Sequence, residues 1–218
     1  MLRRALVVTA GVVVVALLGG SFLVGQAAEP KEASVGVAPG DGVPEFELFG
    51  VDYRYHSLEM YREKEATVVV FTCNHCPVAK GYEDELIRIA EEYQPKGVQF
   101  IAVNPNPADM VAADGYPQMI ERAKEKQFPY PYVYDETQKT ARRYGATVTP
   151  HVFVVAPDRT VLYVGAVDNQ HKAPHYLADA LDDILAGREV AKPTTAQFGC
   201  SVKYRPVKKA REPASEGA

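Results

Sequence analysis

Cys73 and Cys76, two residues apart, are the side chains of this 218-residue chain best suited to covalent chemistry. A C-x-x-C spacing lets two thiols meet as one disulfide, so the pair can take up or release two electrons. The two cysteines follow the β-branched and aromatic run Thr67–Phe71 and precede an amphipathic stretch, where a buried strand hands over to a helix. Helix N–H groups and the helix dipole favour an anion at such a junction, so Cys73 is expected to ionise more readily than a free thiol. Cys73 facing solvent would attack, and Cys76 facing inward would resolve the mixed disulfide. His75 stands between them. An imidazole donating toward Cys73 would stabilise its thiolate and make the disulfide more oxidising, so His75→Ala is expected to lower the reduction potential.

Two weaker signals lie far downstream. In Gly145-Ala146-Thr147-Val148-Thr149-Pro150-His151, a proline falls directly before the apolar run Val152–Val155. Proline there belongs at a strand's first residue or edge, or to a cis bond. The third cysteine, Cys200, precedes a basic tail and is a candidate relay thiol, provided its Cα comes within about 7 Å of the pair. No metal site is expected. A zinc centre needs about four ligands, and the chain offers a single C-x-x-C, Cys200 and five scattered histidines.

The elements that must hold these residues alternate between strand and helix. Phe46, Leu48, Tyr53 and Tyr55 flank Gly50-Val51-Asp52 as a short hairpin. Strands are expected at Thr67–Phe71, Val98–Val103 and Tyr132–Tyr134, then at Val152–Val155 and Val161–Val164 around the Pro157-Asp158-Arg159 turn. Helices are expected over Val78–Tyr93, Pro117–Gln127, Thr137–Tyr144 and Pro174–Leu185. That order implies an α/β sandwich with a mixed central sheet.

The ends are of a different character. Arg3 and Arg4 followed by the apolar Ala5–Leu18, and a small-residue site near Ala27, predict a secretory signal peptide over residues 1–27. The competing reading is an uncleaved membrane tether through residues 5–25. Both put the domain outside the cytoplasm, in a periplasmic or other extracytoplasmic space. Residues 28–42 read as a linker, 43–200 as the domain and 201–218 as a disordered basic tail. With 47% hydrophobic residues, 24% charged residues and a net charge of −4, the chain is globular and carries no basic stripe for nucleic acid.

The stretch Phe71-Thr72-Cys73-Asn74-His75-Cys76-Pro77, the later Tyr144-Gly145…Thr149-Pro150 and the terminal Phe198-Gly199-Cys200-Ser201-Val202-Lys203 resemble the thioredoxin superfamily. The likeness is to its redoxin branch, the alkyl hydroperoxide reductase/thiol-specific antioxidant or peroxiredoxin-like proteins. That resemblance implies a thioredoxin-like three-layer α/β/α sandwich over roughly Val43–Cys200, with an N-terminal β-hairpin extension. It implies Cys73 as nucleophile, Cys76 as resolving thiol, Pro150 as a cis-proline opposite them, and the backbone of Thr149 pairing with a bound peptide. The implied activity is thiol–disulfide exchange with no dissociable cofactor, on disulfide- or dithiol-containing proteins, with a redox partner to reload the pair. The peroxidatic P-x-x-x-T-x-x-C pattern is missing, since Val69 and Cys73 stand where Pro and Thr belong. A weak thiol peroxidase with antioxidant activity is therefore one alternative. The other is a copper-binding or delivery protein using Cys73, Cys76 and a histidine such as His151. Copper-delivery relatives space their cysteines C-x-x-x-C, which counts against it.

Overall fold

A computed structural model describes residues 36–206. The predicted leader lies outside the described residues, as does the tail beyond residue 206. Nine strands and five α-helices follow one another in these residues. They are β1 (Glu47–Gly50), β2 (Tyr55–Ser57), β3 (Ala66–Phe71), α1 (Pro77–Gly81), α2 (Glu83–Tyr93), β4 (Val98–Asn104) and α3 (Tyr116–Lys126). Then come β5 (Tyr132–Tyr134), α4 (Lys139–Tyr144), β6 (Val148–Thr149), β7 (His151–Val155), β8 (Val161–Gly165), α5 (Tyr176–Leu185) and β9 (Cys200–Ser201).

Seven strands form one mixed sheet in the order β2-β1-β5-β4-β3-β7-β8. β3, β4 and β5 run parallel, while β1, β7 and β8 are antiparallel to their neighbours. The β1–β2 hairpin extends the sheet at one edge, in the register Leu48↔His56. β3 is buried at every residue, which is why its sequence shows a continuous apolar run rather than alternation. Its side chains still alternate between two cores. Val68 and Val70 pack with Leu86 and Ile89 of α2, Met119 of α3 and Leu177 and Leu181 of α5. Val69 and Phe71 pack on the other face, with Ala141 and Tyr144 of α4 and with Phe153. Helices on both faces of a mixed sheet make the expected three layers.

Three expectations need correction. The helix expected over Val78–Tyr93 is two helices that meet at Tyr82 (φ −94°, ψ −5°), whose hydroxyl donates to Asp168 at 2.6 Å. The second half of the expected linker is docked. Val37 donates to Tyr144 O at 3.2 Å, Gly40 donates to Val161 O at 2.9 Å, and Gly42 bridges Thr160. This docking requires glycine on both sides: a Cβ on Gly145 (φ +71°) would stand 2.1 Å from the Cα of Gly36. The start of the expected tail is likewise anchored. Tyr204 donates to Ala146 O at 2.6 Å, and Arg205 pairs with Asp109 at 2.5 Å. Composition marks both segments as solvated, but Val37 in one and Tyr204 in the other pack against the second core, and Val202 is buried as well.

Candidate active site

β3 ends at Phe71, and the chain turns through Cys73, Asn74 and His75 before Pro77 opens α1. The residue that caps α1 is Cys76, in extended geometry (φ −74°, ψ 118°), with its thiol accepting from the Ala79 N–H at 3.4 Å. Pro77 follows at the first helical position, where a missing N–H costs nothing. Cys73 therefore lies a full turn short of the helix, and α1 is only five residues long. The helix does not favour a thiolate at Cys73 as the sequence led us to expect.

The thiol of Cys73 is instead buried, 2% exposed, and pushed up to about 12 by that burial first and by the Asp114 carboxylate second. Thr149 Oγ1 at 3.2 Å acts in the opposite direction, its hydrogen bond favouring the thiolate. Burial also pushes the Cys76 thiol up, but hydrogen bonds from the Cys200 thiol, from the Ala79 and Cys200 backbone N–H groups and from Thr149 outweigh it, and the net shift is downward. Cys76 is thus the more readily ionised of the pair.

Asp114 gives the loop between the cysteines its shape. It lies in the connection after β4, 0% exposed, and its Oδ1 accepts from the backbone N–H groups of Asn74 at 2.8 Å and His75 at 2.9 Å. Its Oδ2 accepts from His75 Nδ1 at 2.6 Å and from Asn106 Nδ2 at 2.9 Å. Asn104 Nδ2 holds the backbone carbonyl of Asp114 at 2.8 Å. Asn74 is tied in as well, donating to Ala113 O at 3.0 Å and accepting from Tyr132 Oη at 3.0 Å. Four donors on one buried carboxylate satisfy a charge that would otherwise be costly inside the protein. His75 Nδ1 is also 3.4 Å from Cys73 Sγ. The shorter contact claims its proton, so His75 serves Asp114 first and Cys73 second.

Cys73 Sγ, His75 Nδ1 and an Asp114 oxygen lie within 4.8 Å of one another, a grouping that invites a metal reading. The 2.6 Å between His75 Nδ1 and Asp114 Oδ2 fits a shared proton. Two ligands on one tetrahedral zinc ion stand about 3.3 Å apart. His151 does not join the group. Its ring packs on Phe153 at 4.5 Å between centroids, its Nδ1 accepts from Thr147 N–H at 3.4 Å, and burial lowers its pKa to about 4.

The Thr149–Pro150 peptide is cis and faces both thiols. Cys76 Sγ donates to Thr149 O at 3.4 Å. The edge of β6 expected to receive a peptide is paired with β9, in the antiparallel register Thr149↔Cys200 and Val148↔Ser201. Cys200 is brought onto the Cys73, Cys76 and Ala79 cluster. Cys73, His75, Cys76, Thr149, Pro150 and Cys200, the residues singled out in the sequence, lie together here. They are joined by Asp114, Asn104 and Asn106, which sequence reasoning did not single out. The available signal was the polar Asn104-Pro105-Asn106 segment at the carboxyl end of a parallel strand, where α/β folds place their sites.

A family comparison matches AhpC/TSA over residues 39–164, from the docked segment to the end of β8. The chain belongs to the AhpC/TSA family. Among solved structures, this AhpC/TSA chain is similar to an uncharacterised conserved protein from Geobacillus kaustophilus. That protein is 38% identical with a TM-score of 0.74, over 78% of this chain and 93% of that one. The peroxidoxin BcpB from Mycobacterium tuberculosis shares the fold at 21% identity and a TM-score of 0.56, over 70% of this chain and 99% of that one. So does the thioredoxin domain of a thiol-disulfide oxidoreductase from Bacteroides vulgatus, at 16% identity and a TM-score of 0.51, over 59% and 88% of the two chains. No curated protein matches. The AhpC/TSA fold is thus the thioredoxin-like α/β architecture with a mixed central sheet.

Proposed function

We propose that this AhpC/TSA protein is an extracytoplasmic thiol–disulfide oxidoreductase whose Cys73-Asn74-His75-Cys76 motif exchanges disulfides with protein dithiols or disulfides. The observation that carries the reading is that the two thiols of one C-x-x-C, following the end of β3, both reach Thr149 beside the cis-proline, Cys73 at Oγ1 (3.2 Å) and Cys76 at the backbone O (3.4 Å). Cys73 is held protonated, while Cys76 is hydrogen-bonded as the better thiolate. The solved relative described as a thiol-disulfide oxidoreductase supports it at the level of fold. Export rests on the sequence of residues 1–27 alone.

In the exchange, Cys73 carries the mixed disulfide with the substrate. Cys76 thiolate attacks Cys73 Sγ, the Cys73–Cys76 bond forms, and the substrate sulfur leaves as a thiolate that takes a proton. Two electrons pass from the Cys73/Cys76 dithiol to the substrate; the reverse sequence oxidises a substrate dithiol. Thr149 Oγ1, 3.2 Å from Cys73 Sγ, stabilises negative charge as it develops there.

Equilibration of the protein with glutathione buffers, followed by thiol trapping, tests this. A Cys73–Cys76 disulfide is expected, with a midpoint between about −270 and about −120 mV. If no such bond forms at any poise, the reading fails. A second reading, a thiol peroxidase, is favoured by the burial of both thiols, which admits a small oxidant more easily than a protein. Steady consumption of hydrogen peroxide lost in both Cys73→Ser and Cys76→Ser would move it to first place.

A further inference from the structure

The three thiols lie at graded depth. Cys73 and Cys76 are buried, and Cys200 is half-buried. Only Cys200 has an open side, yet it is in direct contact with the site. Its side chain packs directly on the cluster of Cys73, Cys76 and Ala79.

This contact is built into the fold by several independent features. β9 is two residues long and pairs only with β6, through Thr149↔Cys200. Two residues along, Val202 N–H donates to Thr147 O at 3.0 Å. In an antiparallel ladder that periodicity turns the backbone groups of Thr149 toward Cys200. Gly199 permits the approach: a Cβ there would stand 2.0 Å from Thr149 O. Beyond β9 the chain is held by Lys203 N–H to Asn106 Oδ1 at 2.8 Å and Arg205 N–H to Gln138 Oε1 at 2.8 Å. Asn106 is also a donor to Asp114. The segment carrying Cys200 is therefore fastened to the same polar network that shapes the C-x-x-C loop.

We propose that β9 is a built-in strand filling the peptide edge of the cis-proline loop, and that Cys200 is its internal partner thiol, passing the disulfide between the buried pair and an outside protein. This rests on the exchange reading above. Starting from the Cys73–Cys76 disulfide, Cys200 thiolate attacks Cys76 Sγ. The Cys73–Cys76 bond breaks, the Cys76–Cys200 bond forms, and Cys73 leaves as a thiolate that takes the proton Cys200 gave up. The protein's oxidation state does not change, so no outside oxidant is needed. An external thiolate then attacks Cys200 Sγ at the half-open position, forms a mixed disulfide there and releases Cys76 as a thiolate. A second thiol of the external dithiol attacks that mixed disulfide and leaves as the oxidised partner, with Cys200 reduced.

Disulfide mapping by mass spectrometry of full-length protein, after oxidation with oxidised glutathione and alkylation of remaining thiols, tests the relay. In Cys73→Ser the expected product is an intramolecular Cys76–Cys200 disulfide. Separate glutathione adducts on Cys76 and Cys200 with no link between them would overturn the proposal. Wild-type protein guards against a local rearrangement in the variant: both Cys73–Cys76 and Cys76–Cys200 links are expected, and Cys73–Cys76 alone also overturns it. In Cys73→Ser/Gly199→Val, which pushes β9 off Thr149, the Cys76–Cys200 bond is expected to form at least about tenfold more slowly; an unchanged rate would count against the built-in strand. Cys200→Ser reports on the exchange reading separately. If it forms no Cys73–Cys76 disulfide, that reading fails whatever Cys73→Ser shows.

Discussion

Replacing Asp114 by Asn removes one negative charge from beside Cys73 while keeping a side chain of the same shape. The carboxylate oxygen lies no more than 4.8 Å from Cys73 Sγ. At that distance (4.8 Å), two unit charges repel by about 3 kcal/mol at an effective dielectric of about 20 and by about 1 kcal/mol in water. One pKa unit is about 1.4 kcal/mol, so the Cys73 thiol should ionise about one to two units lower in the variant. It would remain a weak acid, because burial is the larger cause of its rise. His75 Nδ1, freed from the carboxylate, moves the thiol the same way by donating to Cys73. The assay is alkylation by iodoacetamide in a Cys76→Ser/Cys200→Ser background, which leaves Cys73 as the sole thiol among the chain's three. Serine at position 76 still caps α1. Well below the pKa the rate follows the thiolate fraction, so at about pH 8 it should rise about 10- to 100-fold. The variant also sets an amide N–H₂ against Asn106 Nδ2, and the unmatched donors should cost about 1–3 kcal/mol in urea unfolding. Asp114→Glu, which keeps the charge, should stay slow. An alkylation rate that Asp114→Asn leaves unchanged would refute the electrostatic argument.

His75→Ala is expected to move the reduction potential at neutral pH by less than about 30 mV, since Cys73 is protonated with or without the imidazole. A larger fall would restore the view that His75 sets the potential. The folded state keeps His151 neutral, with its pKa lowered from 6.5 to about 4. Its contribution is therefore present above pH 6.5 and lost as pH falls through about 4, up to roughly 3 kcal/mol (2.5 × 1.36). Urea midpoints should fall less between those pH values in His151→Phe than in the wild type. Glu83, 5% exposed, is paired with Arg122 across α2 and α3. Arg122→Met should cost about 3 kcal/mol, as read from the unfolding midpoint, because it leaves the buried carboxylate with only the longer contact to Lys126 at 3.8 Å.

What could be read from the sequence was what is local. β3 announced itself by a β-branched run and the β7–β8 pair by its Pro157-Asp158-Arg159 turn; Gly97, Gly145 and Gly187 each fall at a helix end in a left-handed conformation. Cys73 and Cys76 were legible because their spacing is itself the chemistry. Asp114 was not, since its bonds to Asn74 and His75 span about forty residues and rest on how the loop after β4 folds back. β9 was invisible for a different reason: two residues have no periodicity, and their partner β6 is equally short. The acidity of the two thiols came out reversed because the sequence assigned the helix's influence to Cys73, whereas the cap falls on Cys76, and burial beside Asp114 raises the Cys73 thiol.

The pairing of β9 with β6 also sets a threshold for anything arriving from solution. A strand attached to its own docking edge competes as though present at millimolar concentration, because its ends cannot diffuse away. An external peptide that pairs with Thr149 must displace this permanent occupant, so its apparent affinity falls in proportion to how firmly β9 is seated. Loose, abundant unfolded chains would be turned away by that competition. Partners that grip the surface around Phe198, which is exposed two residues before Cys200, would be served without needing the edge at all.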